Sequence, residues 1–326
     1  MATATPLHVV TGKGGTGKTT VAAALATALA DAGRRVLLCE VEGRQGIAQL
    51  FDVPPLPYEE RKVGVGLGGG EVYALAIDPE AALLEYLQMY YRLGRAGKAL
   101  DRFGIIDFAT TIAPGVRDVL LTGKVYEAAR RRNGGGFTYD AVVMDAPPTG
   151  RIARFLNVNE EVAGLARVGP VRRQADSIMA MMRSRTTRVH LVTVLEEMPV
   201  QETLDGIGEL HDTSLPVGHI VVNLVQTSLL GDDTREALGS GSLGTKQVAA
   251  SLESVGLDTS AATALIDEGE AHLERQALQD TQREVLGKTD RPVVELPTLQ
   301  DAIDQGALFE LARLLRDDLL GVGEAA

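Results

Sequence analysis

The chain reads as an α/β protein, a doubly wound and mostly parallel sheet with helical elaborations. Short apolar runs without polar alternation recur along it, as expected of strands covered on both faces. Helical stretches separate those runs, which argues for parallel strands joined by crossover helices. The first run leads directly through a glycine-rich turn into a helix pattern, and in such a fold the ligand lies beyond the carboxyl ends of the strands.

In chain order, "LHVVTG" is the first strand, and the helix after it places Val21, Leu25, Ala28, Leu29 and Ala32 on one face before Gly33 stops it. Further buried strands are expected at "RRVLLCEV", "VYALAI" (72–77), "YDAVVMD" (139–145), "RVHLVTVL" (188–195), "GHIVVNLV" (218–225) and "RPVVELP" (291–297). Two segments break the alternation. Residues 80–135 read as three successive helices and 227–288 as polar, glycine-punctuated helices, both elaborations of a single domain spanning 1–326. The run "VGVGLGGG" (63–70) reads as a mobile loop too glycine-rich to pack, and the tail "GVGEAA" as frayed.

Composition excludes several functions. No apolar run approaches a bilayer's width, and "MATATPLHVV" lacks an export signal, so a cytoplasmic protein without membrane insertion is expected. Net charge is −12, and the basic run at 129–136 sits where a helix should end, so its cations complement the helix dipole and nucleic acid is not an expected partner. A single cysteine, Cys39, rules out internal disulfides and thiolate metal clusters, and reads as a core residue. The five histidines show no ligand spacing.

The stretch "TGKGGTGKTT" carries the chemistry. Gly12, Gly17, Lys18 and Thr19 satisfy the phosphate-loop spacing between a strand and a helix. Backbone amides across Gly14, Gly15, Thr16 and Thr20 would surround ATP phosphates, aided by the helix amino terminus. Lys18 would reach the β and γ phosphates and the Thr19 hydroxyl would ligate Mg2+. Asp145, at the end of "AVVMD", is the expected second acid on the Mg2+ side, and the Gly150 amide could sense a γ-phosphate. Met179, Met181 and Met182 suit either core filling or an adaptable client groove.

The loop "GKGGTGKTT" resembles the deviant phosphate loop (deviant Walker A) of dimeric ATPases with a signature lysine. "AIDPEAALLEYL", "APGVRDVL", "DAPPTGRIARFL", "LEEMPVQETLDGIGEL" and "VVNLV" are similar to the arsenite-pump and tail-anchored-protein-targeting branch, in its order and over about two-thirds of the chain, and most like its actinobacterial members. The resemblance implies that Lys13 reaches across a dimer interface to the facing subunit's phosphates, as an arginine finger does. It also implies that Asn223 reads the adenine edge and that Pro297 flanks the base.

The sequence departs from the family at "CEVEGRQG". Glu42 stands where the family has the aspartate that orients the attacking water, Gln45 replaces a histidine, and Arg151 replaces another in the second switch. The extra methylene displaces the carboxylate by about an ångström, which can cost on the order of a hundredfold in rate. The expectation is therefore a magnesium-dependent ATPase switch, with Lys13, Lys18 and Glu42 catalytic. It would act as a homodimer, or as a heterodimer with a related subunit, coupling ATP and ADP states to a protein cargo or membrane-protein partner. The alternative is a non-hydrolysing, nucleotide-gated binding or scaffold subunit.

Overall fold

The computed structural model of the chain describes residues 5–91, 115–165, 170–299 and 303–319. The middle of the three helices expected in 80–135 and the tail lie outside the described residues.

Ten strands form among the described residues, and eight of them join one sheet. In chain order these eight are β1 (Leu7–Gly12), β2 (Arg35–Glu40), β3 (Arg61–Val65), β4 (Glu71–Ala76), β7 (Ala141–Asp145), β8 (Thr187–Thr193), β9 (Val217–Val225) and β10 (Val293–Pro297). A separate small hairpin holds β5 (Arg132–Asn133) and β6 (Gly136–Phe137). The sheet order is β10-β9-β8-β1-β7-β2-β4-β3, and β3 alone is antiparallel to its neighbour. The chain steps outward from β1 to one edge, returns to insert β7 between β1 and β2, then steps to the other edge. The carboxyl end of β1 is thus the switch point where such sheets bind ligands.

Both faces of the sheet are covered, which explains the unalternated apolar runs. On β2, Val36 and Leu38 join the core under α1 (Lys18–Asp31), α2 (Gly46–Leu50) and α11 (Gln305–Leu319), while Leu37 and Cys39 join the opposite core. That second core is roofed by α4 (Val116–Arg130), α5 (Thr149–Leu165), α6 (Pro170–Met182) and α7 (Glu197–Asp212). Helix α3 (Pro79–Tyr91) packs beside α4. The period of two along each strand therefore sorts side chains between two dry layers instead of between core and water. Cys39 is fully buried, and burial drives its thiol far above the ordinary range, as a core cysteine requires.

The glycine-rich run at 63–70 is not a loose loop. It forms the end of β3 and a tight connection into β4, pressed against the carboxyl end of α1. A Cβ on Gly68 would lie 2.1 Å from the Asp31 carbonyl oxygen, and one on Gly70 would lie 2.4 Å from that of Ala30. The Leu67 amide donates to Asp31 Oδ1 at 2.6 Å and the Gly70 amide to the Ala30 carbonyl at 3.2 Å. Close backbone approach, not mobility, is the reason for these glycines.

The basic run expected at a helix end is there, with α4 ending at Arg130 and Arg131 bonded to Glu127 and Glu60. The three methionines of α6 are buried, and Met181 and Met182 belong to the second core, which supports the core-filling reading. Residues 227–288 form an arm of α8 (Asp232–Gly239), α9 (Thr245–Ser254), a 3-10 turn at 259–261 and α10 (Ala262–Gly287). Leu238 packs against Gly269, and Leu286 anchors the foot of α10 among Leu195, Val200 and Ile220. Among the described residues, no helix is long and apolar enough to cross a membrane.

Candidate functional site

The site is built where β1 ends and α1 begins. Gly12 has to be glycine, because a Cβ there would lie 2.2 Å from the Val192 carbonyl oxygen of β8. Gly17 caps α1 with φ +85°, and no side chain caps the helix. The first-turn amides are therefore left to an anion, and the helix dipole favours one. Thr16 Oγ1 donates to the Lys13 carbonyl at 2.9 Å and Lys18 Nζ does so at 3.3 Å, so the Lys18 ammonium is folded back over the loop. Burial lowers the Lys18 pKa, while the charges of Asp145 and Glu42 oppose that shift.

Thr19 Oγ1 donates to Asp145 Oδ2 at 2.7 Å, joining the first turn of α1 to the tip of β7. Burial pushes the Asp145 carboxyl up to about 6. Glu40 and Glu42 add to that push, while the Thr19 hydrogen bond and Lys18 oppose it. A hydroxyl and a buried carboxylate are hard oxygen donors of the kind that Mg2+ takes together with phosphates and water, so Thr19 and Asp145 fit that ion. Thr11 Oγ1 donates to the Pro147 carbonyl at 2.6 Å and ties the loop after β7 to β1. In the first turn of α5, which follows that loop, Gly150 is exposed, and Arg151 pairs with Asp118 at 3.6 Å.

The loop after β2 carries the departures from the family pattern. Glu42 pairs with Arg44 at 3.5 Å. Gln45 spends both atoms of its amide on Leu56, accepting from its backbone nitrogen at 2.7 Å and donating to its oxygen at 3.1 Å. The Gln45 backbone amide donates to Glu40 Oε1 at 2.5 Å. Gly46 begins α2 so close to Thr19 that a Cβ would lie 3.0 Å from Thr19 Cγ2.

Asn223 and Pro297 come to the same end of the sheet on β9 and β10, where the Thr298 amide bonds the Val225 carbonyl at 2.9 Å. Asn223 is buried, and its Nδ2 donates to the Thr16 carbonyl at 2.9 Å, so it braces the phosphate loop. Lys13 Nζ pairs with Glu202 Oε1 of α7 at 2.8 Å. Reasoning from sequence missed Glu202 and Glu40. The only signal for Glu40 was its place at the end of an apolar strand beside the candidate catalytic acid.

Comparison with known proteins agrees with this geometry. The profile of the anion-transporting ATPase family matches residues 6–186. ATPase BagA of Mycobacterium tuberculosis H37Rv is 50% identical over 312 residues, covering 95% of this chain and 92% of that protein. The arsenical pump-driving ATPase of Acidiphilium multivorum is 26% identical over 239 residues, covering 67% of this chain and 39% of that protein. ATPase GET3 of Podospora anserina is 30% identical over 149 residues, covering 45% of this chain and 41% of that protein. A phosphate loop set at the switch point of a parallel sheet, together with the family profile and a relative half identical over nearly the whole length, establishes that the chain belongs to the anion-transporting ATPase family.

Proposed function

We propose that the chain is a magnesium-dependent ATP-binding and hydrolysing switch that works as a dimer in the cytoplasm. The observation that carries this reading is the contact of Thr19 with Asp145 at the mouth of the uncapped phosphate loop. The loop amides and Lys18 hold the phosphates, with Lys18 exchanging the Lys13 carbonyl for phosphate oxygens. Thr19 and Asp145 face the Mg2+ ion, which when bound neutralises phosphate charge. Lys13 exchanges Glu202 for the phosphates of a second subunit, so that closure of the dimer completes each site. Opening and closing then moves the arm of α8 to α10, which presents Val255, Leu257, Leu265 and Leu278 to solvent for a protein cargo or partner. A metalloid cargo held by several thiols is disfavoured, because the one cysteine is buried in the core.

Steady-state phosphate release and ATP binding test this reading. The purified chain should bind ATP with Mg2+, and Lys18→Ala should weaken binding at least tenfold. Unchanged binding in that variant would overturn the assignment.

A second reading, a subunit that binds nucleotide without hydrolysing it alone, draws on the ties of Glu42 to Arg44 and of Gln45 to Leu56. The first tie occupies the carboxylate expected to orient the attacking water, and the second holds the residue that stands in place of the family's histidine. Phosphate release at background from the chain alone, rising when a related subunit is added, favours this second reading. Brisk release by the chain alone, lost in Glu42→Ala, favours the first.

A further inference from the structure

Among the described residues at this end of the sheet, Glu40 carries a carboxylate oxygen that is both buried and without a hydrogen-bond partner. It is 2% exposed, and its Oε2 has no hydrogen-bond partner, while its Oε1 accepts from the Gln45 amide. Leaving a buried carboxylate oxygen unsatisfied costs stability, so such a group calls for a ligand or a cation. Its placement points to which one. Glu40 is paired in register with Asp145 on the adjacent parallel strand. It shares the parity of Val36 and Leu38, as Asp145 shares that of Ala141 and Val143, and all four apolar residues pack in the core under α1. Both carboxylates therefore project to the side where the first turn of α1 presents Lys18 and Thr19, and Thr19 already holds Asp145.

We propose that Glu40 is a second acid on the cation side of the nucleotide site, its free Oε2 directed to the hydrated divalent ion that Thr19 and Asp145 face. The proposal rests on the magnesium-dependent reading above and adds a connection. Through Oε1 the same carboxylate holds the Gln45 amide, and with it the loop that carries Glu42. One side chain thus links occupancy of the cation site to the position of the candidate catalytic carboxylate, three groups joined by a single rigid strand end.

Glu40→Gln separates this role from a purely structural one, because the amide keeps the volume and an oxygen for the Gln45 amide but loses the charge. Thermal melting is followed while Mg2+ is titrated at fixed ADP, and ADP affinity is measured in EDTA. The half-saturating Mg2+ concentration should rise at least tenfold in Glu40→Gln, with ADP affinity in EDTA equal to or tighter than that of the parent. Trypsin cleavage after the exposed Arg44 should be suppressed by Mg2+ with ADP in the parent and persist in the variant. A half-saturating Mg2+ concentration matching the parent's would overturn the proposal while leaving the nucleotide reading intact. A parent that gains no stability from Mg2+ with ADP would instead sink that reading itself. Should Glu40→Gln not fold, Glu40→Asp, which keeps the charge but retracts it, should raise the half-saturating concentration at least threefold, and no rise would again overturn the proposal.

Discussion

Lys13 and Glu202 form an ion pair of 2.8 Å between the phosphate loop and α7, with the lysine side chain 30% and the glutamate 36% exposed. The lysine proposed to serve a facing subunit is held by its own chain in the isolated protomer. A pair this exposed is worth at most about 1 kcal/mol, which caps the cost of releasing Lys13 at about fivefold in an equilibrium constant. Glu202→Gln should therefore favour nucleotide-dependent dimerisation by up to about fivefold for each lysine released, or about 25-fold for a homodimer that releases both, while Lys13→Ala should abolish it. Solution mass with and without a slowly hydrolysed ATP analogue decides the matter. Weaker association in Glu202→Gln would mean that the pair supports the closed state instead of restraining it.

Asp145 makes nucleotide-free stability depend on pH. Its folded-state value of about 6 lies above the ordinary 3.8, so its contribution is intact below pH 3.8 and is lost as pH rises through 6. At about 1.4 kcal/mol per pH unit, the loss above pH 6 amounts to about 3 kcal/mol. Asp145→Asn, which keeps an acceptor for Thr19, should be more stable than the parent by up to that amount in denaturant titrations at pH 8 without nucleotide or metal. The difference should vanish near pH 4. The variant should also lose the added stability that Mg2+ with ADP gives the parent.

The seven parallel strands and the phosphate loop were legible in the sequence because their signals are local, whereas the antiparallel edge strand β3 and the small hairpin were not. β2 reads as one apolar run since both its faces are dry, and the loop's glycines and lysines are contiguous. What stayed hidden depends on register between distant segments. Nothing near Glu40 announces that Asp145 will lie beside it, nor does anything near Lys13 announce Glu202. The glycines of 66–70 read as a loop because their reason, the carboxyl end of α1, lies 36 residues away at Asp31.

Asn223 has its own testable role. Its amide braces the Thr16 carbonyl and fills the space beside Gly17, where a Cβ would lie 2.3 Å from Nδ2. Asn223→Ala removes one buried hydrogen bond, worth about 1 kcal/mol, and leaves the carbonyl unsatisfied, which costs about as much again. ATP affinity should fall about tenfold with the fold intact. If Asn223 read only the base, GTP and ATP affinities would converge in the variant without a loss of pyrophosphate binding. Bracing of the loop predicts that pyrophosphate binding falls too, and calorimetry with each ligand tells the two apart.

Three of the five histidines, scattered in sequence, meet at the opposite pole of the sheet. His8 Nδ1 lies 3.1 Å from His190 Nε2, and the rings of His8, His190 and His219 stack at centroid distances of 5.4 and 5.6 Å. The His219 backbone amide donates to His190 Nδ1 at 3.2 Å, so neutral His190 carries its proton on Nε2 and donates to His8. Burial, with Arg188, Arg34 and His219 adding, lowers His8 from the ordinary 6.5 to about 4, and burial holds His190 well below its ordinary value too. A depressed histidine gives stability that is complete above pH 6.5 and is lost as pH falls toward 4, because the unfolded chain takes up the proton first. His8 alone should cost about 2 kcal/mol between pH 7 and pH 5, with His190 adding to it. Denaturant titrations of the parent should show that fall, measured without nucleotide so that the opposing slope of Asp145 can be separated with Asp145→Asn. His8→Gln, which retains an acceptor for His190, should lose about 2 kcal/mol less than the parent over the same interval. A variant with the parent's pH slope would place the acid sensitivity elsewhere in the chain.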